Sequence, residues 1–404
     1  MKFGGSSVAD AEKISKAADR VIARKLGGAD VVVVVSAMGD STDHLIELAR
    51  SVTDDPPDRE MDMLMSSGER VSMALLSMAI QGKGHAAISL TGSQAEIITD
   101  TSHRRARITD IRATRVREEI KKGKIVIVAG FQGVSSAHEV TTLGRGGSDT
   151  TAVALAYALK ADVCEILTDV PGVFTADPRI VPNARKLEEI CFEEMLELAS
   201  MGAKVLQSRS VEMASKYGVV LRVGPAHMEE PGTIIKEEDS TMEQVLVRGI
   251  ALNMDEVKFT VHRVPDRPGV AAAIFSKLAE RGVNVDMIIQ NIGTEGYANL
   301  SFTISTGDIE KTSSLTDMLK NEIGAEDVSF NDNIAKVSIV GVGMRSHTGV
   351  AEKVFRALAD LGVNIEMIST SEIKISVIIA KDRAEEATRA LHDAFVLEMD
   401  AAHA

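Results

Sequence analysis

At 404 residues, with 45% hydrophobic and 26% charged side chains, the chain is an ordinary globular sequence long enough for two to three domains. Its formal charge of −14 argues against a general nucleic-acid or anionic-membrane surface, so any anion site must be made basic locally. Two cysteines, Cys164 and Cys191, form no CxxC pair, which argues against a disulfide framework or a cysteine metal site and fits a reducing cytoplasm.

No apolar run reaches the roughly 18–20 residues of a membrane span, and the N-terminus does not read as a signal peptide. The nine histidines lack HExxH-type spacing and read individually as surface or core residues. In chain order, Lys2-Phe3-Gly4-Gly5-Ser6-Ser7-Val8 leads into a helix reaching Leu26, with Ile14, Ala17, Ala18, Val21 and Ile22 on one face. A lysine before paired glycines at a helix start suits a phosphate, although the GxxxxGK[ST] spacing is absent. A plain helix capped by Ser6 or Ser7 explains this segment alone equally well. Asp30 to Ser36 is a buried, parallel-type strand of five consecutive valines. It runs into the loop Ser36 to Asp43, which includes Thr42, at the strand end where open α/β sheets hold ligands.

His44 to Arg50 begins another helix, and Asp54 to Glu60 reads as an exposed connection. Met61 to Ile80 is a methionine-rich packing helix whose apolar pattern is interrupted by Gly68-Glu69-Arg70. Glu69 is either the partner of a substrate cation or a solvated helix charge. Ala86 to Thr91 and Lys124 to Ala129 are short strands, the second entering a strand-end loop, Gly130-Phe131-Gln132-Gly133. Thr141 to Leu159 then reads TTLGRGGSDTTAVALAYAL. Gly144, Gly146 and Gly147 ahead of a small-residue helix make an anion cradle, and Arg145 offers a bidentate fork for a carboxylate or phosphate. The plainer reading is a glycine-rich turn with Ser148 or Asp149 as N-cap.

Asp162 to Asp169 is a strand, and the turn-rich segment Val170 to Arg179 after it suits adenine and phosphate contacts. Glu193 to Glu212 is mostly helical, and Val219 to Val223 and Thr233 to Ile235 are closing strands. Alternating strands and helices over residues 1–236 predict a three-layer α/β sandwich with a mainly parallel sheet. Glu237 to Glu243 is an acidic linker. Beyond it Gly269 to Asn291 and Gly349 to Ser371 are copies at an offset of 349 − 269 = 80, with 11 of 23 paired positions identical. Each copy reads as a ferredoxin-like βαββαβ unit, residues 256–331 and 332–404. The second runs out of strand, so residues 237–255 are a linker plus a strand, Gln244 to Leu252, predicted to complete it.

Taken together, KFGGSSV, SAMGDSTD, SSGERVS, TTLGRGGSDTTAVALA and TDVPGVFTADPR, followed by the duplication, resemble the aspartokinase family across essentially the whole chain. The resemblance implies an amino-acid kinase domain followed by tandem ACT domains, and ATP-dependent phosphorylation of the L-aspartate side chain with magnesium as counterion to the phosphates. It implies that Lys2 stabilises the transferring phosphoryl group, with Phe3, Gly4, Gly5 and Ser6 beside it, and that Asp149 is an organiser. Arg145 would grip a carboxylate of aspartate and Glu69 its ammonium, with Thr42, Gly146, Gly147 and Ser148 completing the shell. Thr168, Asp169, Phe174, Thr175, Ala176, Asp177, Pro178, Arg179 and Lys204 match the nucleotide side. No metal ligand is assigned.

Lysine and/or threonine would act as effectors at the ACT repeats of a homo-oligomer. Candidates are Asp266, Arg267, Pro268, Gly269, Val270, Ala271, Asn284, Val285, Asp286 and Gln290 in the first copy. In the second they are Arg345, Ser346, His347, Asn364, Ile365, Thr370 and Ser371. The repeated Gly-Val-Asn turn is as readily a helix C-terminal glycine entering a strand. The resemblance also implies a regulatory subunit from an internal start at Met242 or Met254; a plain linker methionine is an equal reading. Family members usually carry a short hydrophobic strand ahead of the lysine. Here Lys2 follows the initiator directly, so a start further upstream is expected, because a lysine on a frayed terminus would be poorly positioned. Two other readings compete: a kinase with a different carboxylate or carbamate acceptor, and a catalytically poor amino-acid sensor.

Overall fold

A computed structural model describes residues 1–200, 205–238, 246–292 and 296–401. The chain divides into two compact units, Met1–Phe174 with Arg185–Met242, and Thr175–Ala184 with Glu243–Ala404.

The N-terminal unit is built on an eight-stranded sheet in the order Glu189–Cys191, Thr233–Lys236, Leu221–Pro225, Cys164–Thr168, Lys2–Phe3, Val32–Val35, Ile125–Ala129, Ala87–Leu90. From Leu221–Pro225 to Ala87–Leu90 every pairing is parallel, and Thr233–Lys236 runs antiparallel to Leu221–Pro225. The unbroken valine run follows from this position, since a central parallel strand is covered on both faces. On one face Phe3, Val33, Val35, Ile125 and Ile127 pack with the helix faces Ile14, Ala17, Val21 and Leu76, Ile80. Lys2, on the same strand as Phe3, takes the opposite face because strand side chains alternate.

Lys2 is not frayed. Its strand pairs with Val34 on one side and Ile166 on the other, and the Met1 ammonium donates to Val32 O at 2.8 Å. Hydrogen bonding on both flanks fixes the lysine backbone.

Two readings are corrected. Of the segment Asp54 to Glu60 read as an exposed connection, the last three residues already belong to a helix, Asp58–Gly82, whose first turn carries Asp58 and Glu60 where a helix N-terminus favours acids. The helix runs unbroken through Gly68-Glu69-Arg70, in line with the reading of Met61 to Ile80 as one helix. Gln132 and Gly133, read as part of a loop, belong to the strand Gln132–Ser135 of a second, small sheet ordered Ile108–Ile111, Ile97–Thr99, Gln132–Ser135, Val140–Thr142. Three- and four-residue strands carry too little alternation to announce themselves.

The C-terminal unit holds two four-stranded sheets. The first is ordered Ile288–Ile292, Tyr297–Ile304, Val257–Pro265, Asp327–Asn331, with helix Val270–Glu280 between its first two strands in sequence. The second is ordered Gly249–Asn253, Ile334–Val340, Lys374–Ala380, Ile365–Thr370. Its edge strand therefore comes from upstream of the first repeat, pairing Gly249 with Val340 through Asn253 with Lys336. An apolar cluster of Met287, Ile334, Met367 and Ile378 joins the repeats, and beside it the buried Lys336 reaches Glu256 at 2.8 Å and also Asp286.

Candidate active site

The glycine-rich stretch opens the helix Gly147–Leu159, whose N-cap is Gly146 at φ +69°, not Ser148 or Asp149. Glycine is required twice over at 146: the backbone is left-handed, and a Cβ would meet Gln207 Cγ at 2.1 Å. No side chain caps this N-terminus; Gly147 N donates to Gly144 O at 3.0 Å, and the first-turn amides after it are what an anion could use. Ser148 and Asp149 are each 7% exposed on the first turn. Asp149 Oδ1 lies 2.7 Å from Lys2 Nζ, so the central strand and the glycine helix meet in an ion pair.

The Ser36–Gly39 loop is held close to the N-terminal strand. Ser36 N donates to Phe3 O and Gly39 N to Gly5 O, each at 3.1 Å. A Cβ on Gly5 would come within 2.8 Å of Ala37 O. From the other side the Asp58–Gly82 helix presses Gly68 against Ala37, where a Cβ would sit 2.8 Å from that of Ala37. This close approach delivers Glu69 to the loop, where its Oε1 accepts from Ala37 N at 3.2 Å. Glu69 is 3% exposed, and its Oε2 has no protein partner among the described residues. Burial penalises its charge and pushes the carboxyl up to about 7. The solvated-charge reading of Glu69 is thus excluded.

These elements surround one cleft of about 1580 Å³. Lys2, Gly5, Thr42, Glu69, Arg145, Gly146, Gly147, Ser148 and Asp149 all line it. Arg145 is exposed at its mouth. A basic part of the wall was not singled out from the sequence: His103, Arg104, Arg105 and Arg107 on one loop, and Arg209 from the helix Ser208–Tyr217. Arg209 donates to Leu143 O at 2.7 Å and to Ala106 O at 2.8 Å, fastening that loop to the glycine stretch. The signal available was four basic residues within the five positions His103 to Arg107 of an acidic chain.

Other assigned residues fall elsewhere. Phe3 is fully buried in the apolar core on the far face of its strand, which leaves its side chain no access to a nucleotide. Gly4 donates to Leu167 O at 3.1 Å, and Ser6 is exposed at the start of the Gly5–Val8 turn. Thr168 donates to Asp169 at 2.9 Å at the end of its strand, and Phe174 bridges to Lys186.

Thr175, Ala176, Asp177, Pro178 and Arg179 belong to the C-terminal unit. The Thr175 hydroxyl is buried against His392 Nε2 at 2.8 Å, Thr175 O accepts from Ile250 N at 2.7 Å, and Ala176 is 4% exposed. Asp177 pairs with Arg179 at 2.6 Å. The side chains of Thr175 and Ala176 are therefore committed to packing. Lys204 and Met242 lie outside the described residues.

The effector candidates occupy matching corners of the two repeats. Asp266 to Ala271 precede and open Val270–Glu280 with Gly269 left-handed at φ +95°, and Arg345 to His347 lie before Val350–Asp360 with Gly349 at φ +91°. Asn284, Val285 and Asn364 follow those helices, Ile365 opens and Thr370 ends the strand Ile365–Thr370 with Ser371 just after it, and Gln290 lies on Ile288–Ile292. Asp286 is already engaged by Lys336, and His347 Nδ1 by Gly343 O at 2.8 Å.

Among the described residues no group of three or more His, Cys, Asp or Glu could hold a metal ion.

Residues 1–224 match the model of the amino acid kinase family, and residues 260–324 and 337–395 match ACT domain models. The chain is 52% identical to the aspartate kinase of Pseudomonas putida, over 99% of this chain and 98% of that one. It is also similar to two structures of E. coli aspartokinase III. One, with aspartate and ADP in the R-state, is 27% identical with a TM-score of 0.80, covering 98% of this chain and 99% of that one. The other, with lysine and aspartate in the T-state, is 27% identical with a TM-score of 0.77, covering 98% of each.

Proposed function

Because the chain belongs to the aspartokinase family, an amino acid kinase domain followed by two ACT domains, we propose that it transfers the γ-phosphoryl group of ATP to the side-chain carboxylate of L-aspartate. The product is 4-phospho-L-aspartate, the first intermediate toward lysine, threonine, methionine and diaminopimelate. One observation carries this reading: a cleft that sets the exposed fork of Arg145 in the same wall system as a buried carboxylate, Glu69, with an oxygen left over. An amino diacid supplies both missing partners, its carboxylate to Arg145 and its ammonium to Glu69. Thr42 and Ser148 complete the acceptor side.

The chemistry asks for little acid–base help, since an ionised carboxylate needs no deprotonation before it attacks phosphorus. The obstacle is that two anions must meet. Lys2, fixed in the sheet centre, places its ammonium against the glycine helix N-terminus, where the transferring phosphoryl group gains charge neutralisation. Asp149 holds Lys2 in that position. Gly147 N is taken up by Gly144 O, so the first-turn amides beyond it, at an N-terminus without a side-chain cap, and the close backbone at Gly5 present N–H groups at the same end. Magnesium, bound through the ATP phosphates, supplies further positive charge when present.

The ACT pair would bind lysine and/or threonine at the interface between repeats of two chains, shifting the population toward a less active arrangement. Ala271→Thr and Ser371→Phe should then weaken inhibition several-fold while leaving the uninhibited rate unchanged. Equal loss of rate and inhibition would indicate misfolding instead. The reading as a catalytically poor sensor rests on the missing strand ahead of Lys2; against it, the Lys2 strand pairs on both sides.

Hydroxylamine trapping of the acyl phosphate, with ATP, magnesium and a panel of acceptors, tests the proposal. Product that requires L-aspartate supports it. Product with glutamate, acetylglutamate or carbamate alone, or ligand binding without turnover, overturns it.

A further inference from the structure

We propose that Asp62 is a positioning residue for the aspartate side of the cleft, the anchor through which the Glu69 helix holds both the basic loop and the glycine stretch in register. This rests on the aspartate reading above. Asp62 lies two helical turns before Glu69 and is fully buried, with no exposed surface. Its two oxygens accept from two distant segments. The His103 ring Nδ1 lies 2.7 Å from Oδ2, and Arg104 N donates to Oδ1 at 3.0 Å and Oδ2 at 3.1 Å. The Thr142 hydroxyl donates to Oδ1 at 2.5 Å.

A carboxylate enclosed this way cannot be a solvated helix charge, and these hydrogen bonds satisfy its oxygens without a substrate. What they fix is informative. Thr142 is the residue before Leu143-Gly144-Arg145, so its bond sets where the Arg145 fork begins. His103 and Arg104 start the basic wall, and a Cβ on Gly144 would lie 3.1 Å from Arg104 O, so loop and glycine stretch are in van der Waals register at that point. Ala106 N donates to Thr142 O at 2.9 Å, closing the circuit. One carboxylate thus joins three walls of the cleft: the helix bearing Glu69, the stretch bearing Arg145, and the His103–Arg107 loop. Lys2 and Gly5, on the phosphoryl side, make none of these contacts.

That asymmetry gives the test a direction. A merely structural acid would, when removed, lower stability and degrade both substrates alike. A positioning acid on the aspartate side should raise the aspartate KM selectively. Asp62→Asn keeps the volume but replaces one acceptor by a donor facing His103, and Thr142→Val removes one hydroxyl at nearly constant volume. Each is expected to raise the aspartate KM ten-fold or more while the ATP KM moves less than two-fold. The double variant should be no worse than the more damaged single, because both break the same link.

Unchanged aspartate KM in both, a parallel rise in both KM values, or fully additive effects would overturn the inference. If Asp62→Asn does not fold, Thr142→Val alone, read against the ATP KM, decides. The unaltered chain is assayed first. Failure to phosphorylate aspartate would remove the functional reading itself, whereas an active chain with indifferent variants removes only the role of Asp62.

Discussion

Glu69 shows how one side chain can serve a substrate at a cost to the fold. Its carboxyl is pushed up to about 7 by burial, against 4.5 for an ordinary glutamate. Between those values the folded chain keeps a proton that the unfolded chain releases, so stability falls as pH rises through that window. Above it the penalty is fully developed, about 3 kcal/mol. Glu69→Gln should therefore melt above the unaltered chain at pH 8, with the gap closing below about pH 4.5, while its aspartate KM rises. Melting curves at both ends of the range check this. A pH-independent gap would contradict the assignment. The unaltered chain should also lose aspartate affinity as pH drops below about 7 and the carboxyl protonates. The sequence left Glu69 undecided between a substrate partner and a surface charge, because the deciding fact is the proximity of Ala37, thirty-two residues away.

Among the elements, the Asp58–Gly82 helix is the informative one. Gly68 interrupts its apolar pattern, and the reason a glycine stands there is spatial: only a glycine lets the helix close on Ala37. Two effects oppose each other in Gly68→Ala. Helix propensity favours alanine by about 1 kcal/mol, while a Cβ driven to 2.8 Å from that of Ala37 overpacks the contact, at a cost of about 1–3 kcal/mol. Overpacking should win, displacing the Ser36–Gly39 loop from Glu69 and raising the aspartate KM several-fold. Saturation curves for the single variant test it, and an unchanged KM with higher stability would show that the contact is slack.

The same logic separates what the sequence disclosed from what it hid. Long periodic or uniformly apolar stretches, such as the valine strand and the duplicated helices, announced their elements. The small sheet holding Gln132–Ser135 did not, and neither did the departure of Thr175–Ala184 to the other unit. Both depend on partners far along the chain. The basic loop His103 to Arg107 was visible as charge but carried no pattern that placed it in the cleft.

On the scale of the whole molecule, a duplicated C-terminal half takes an edge strand from upstream of the first copy and joins its copies through a buried lysine. Lys336 is 4% exposed and Glu256 3%, with Asp286 on the other side. Removing the cation leaves two carboxylates facing each other, so Lys336→Met should cost about 3–5 kcal/mol, and adding Glu256→Leu should recover much of it. Thermal unfolding of the three proteins measures this, and a neutral single variant would refute it.

The catalytic half makes the opposite use of charge. In a chain of net charge −14, it gathers Lys2, Arg145 and the His103–Arg107 loop around one cleft where two anions must react. The sharpest test of that arrangement is an initial-rate matrix varying L-aspartate and ATP for the unaltered chain and for Arg145→Ala. Losing a charge-assisted pair of about 2–4 kcal/mol should raise the aspartate KM by roughly 30- to 1000-fold, with the ATP KM nearly unchanged. An unaltered aspartate KM, or an equal rise in both, would contradict the assignment of Arg145 to the amino-acid side of the cleft.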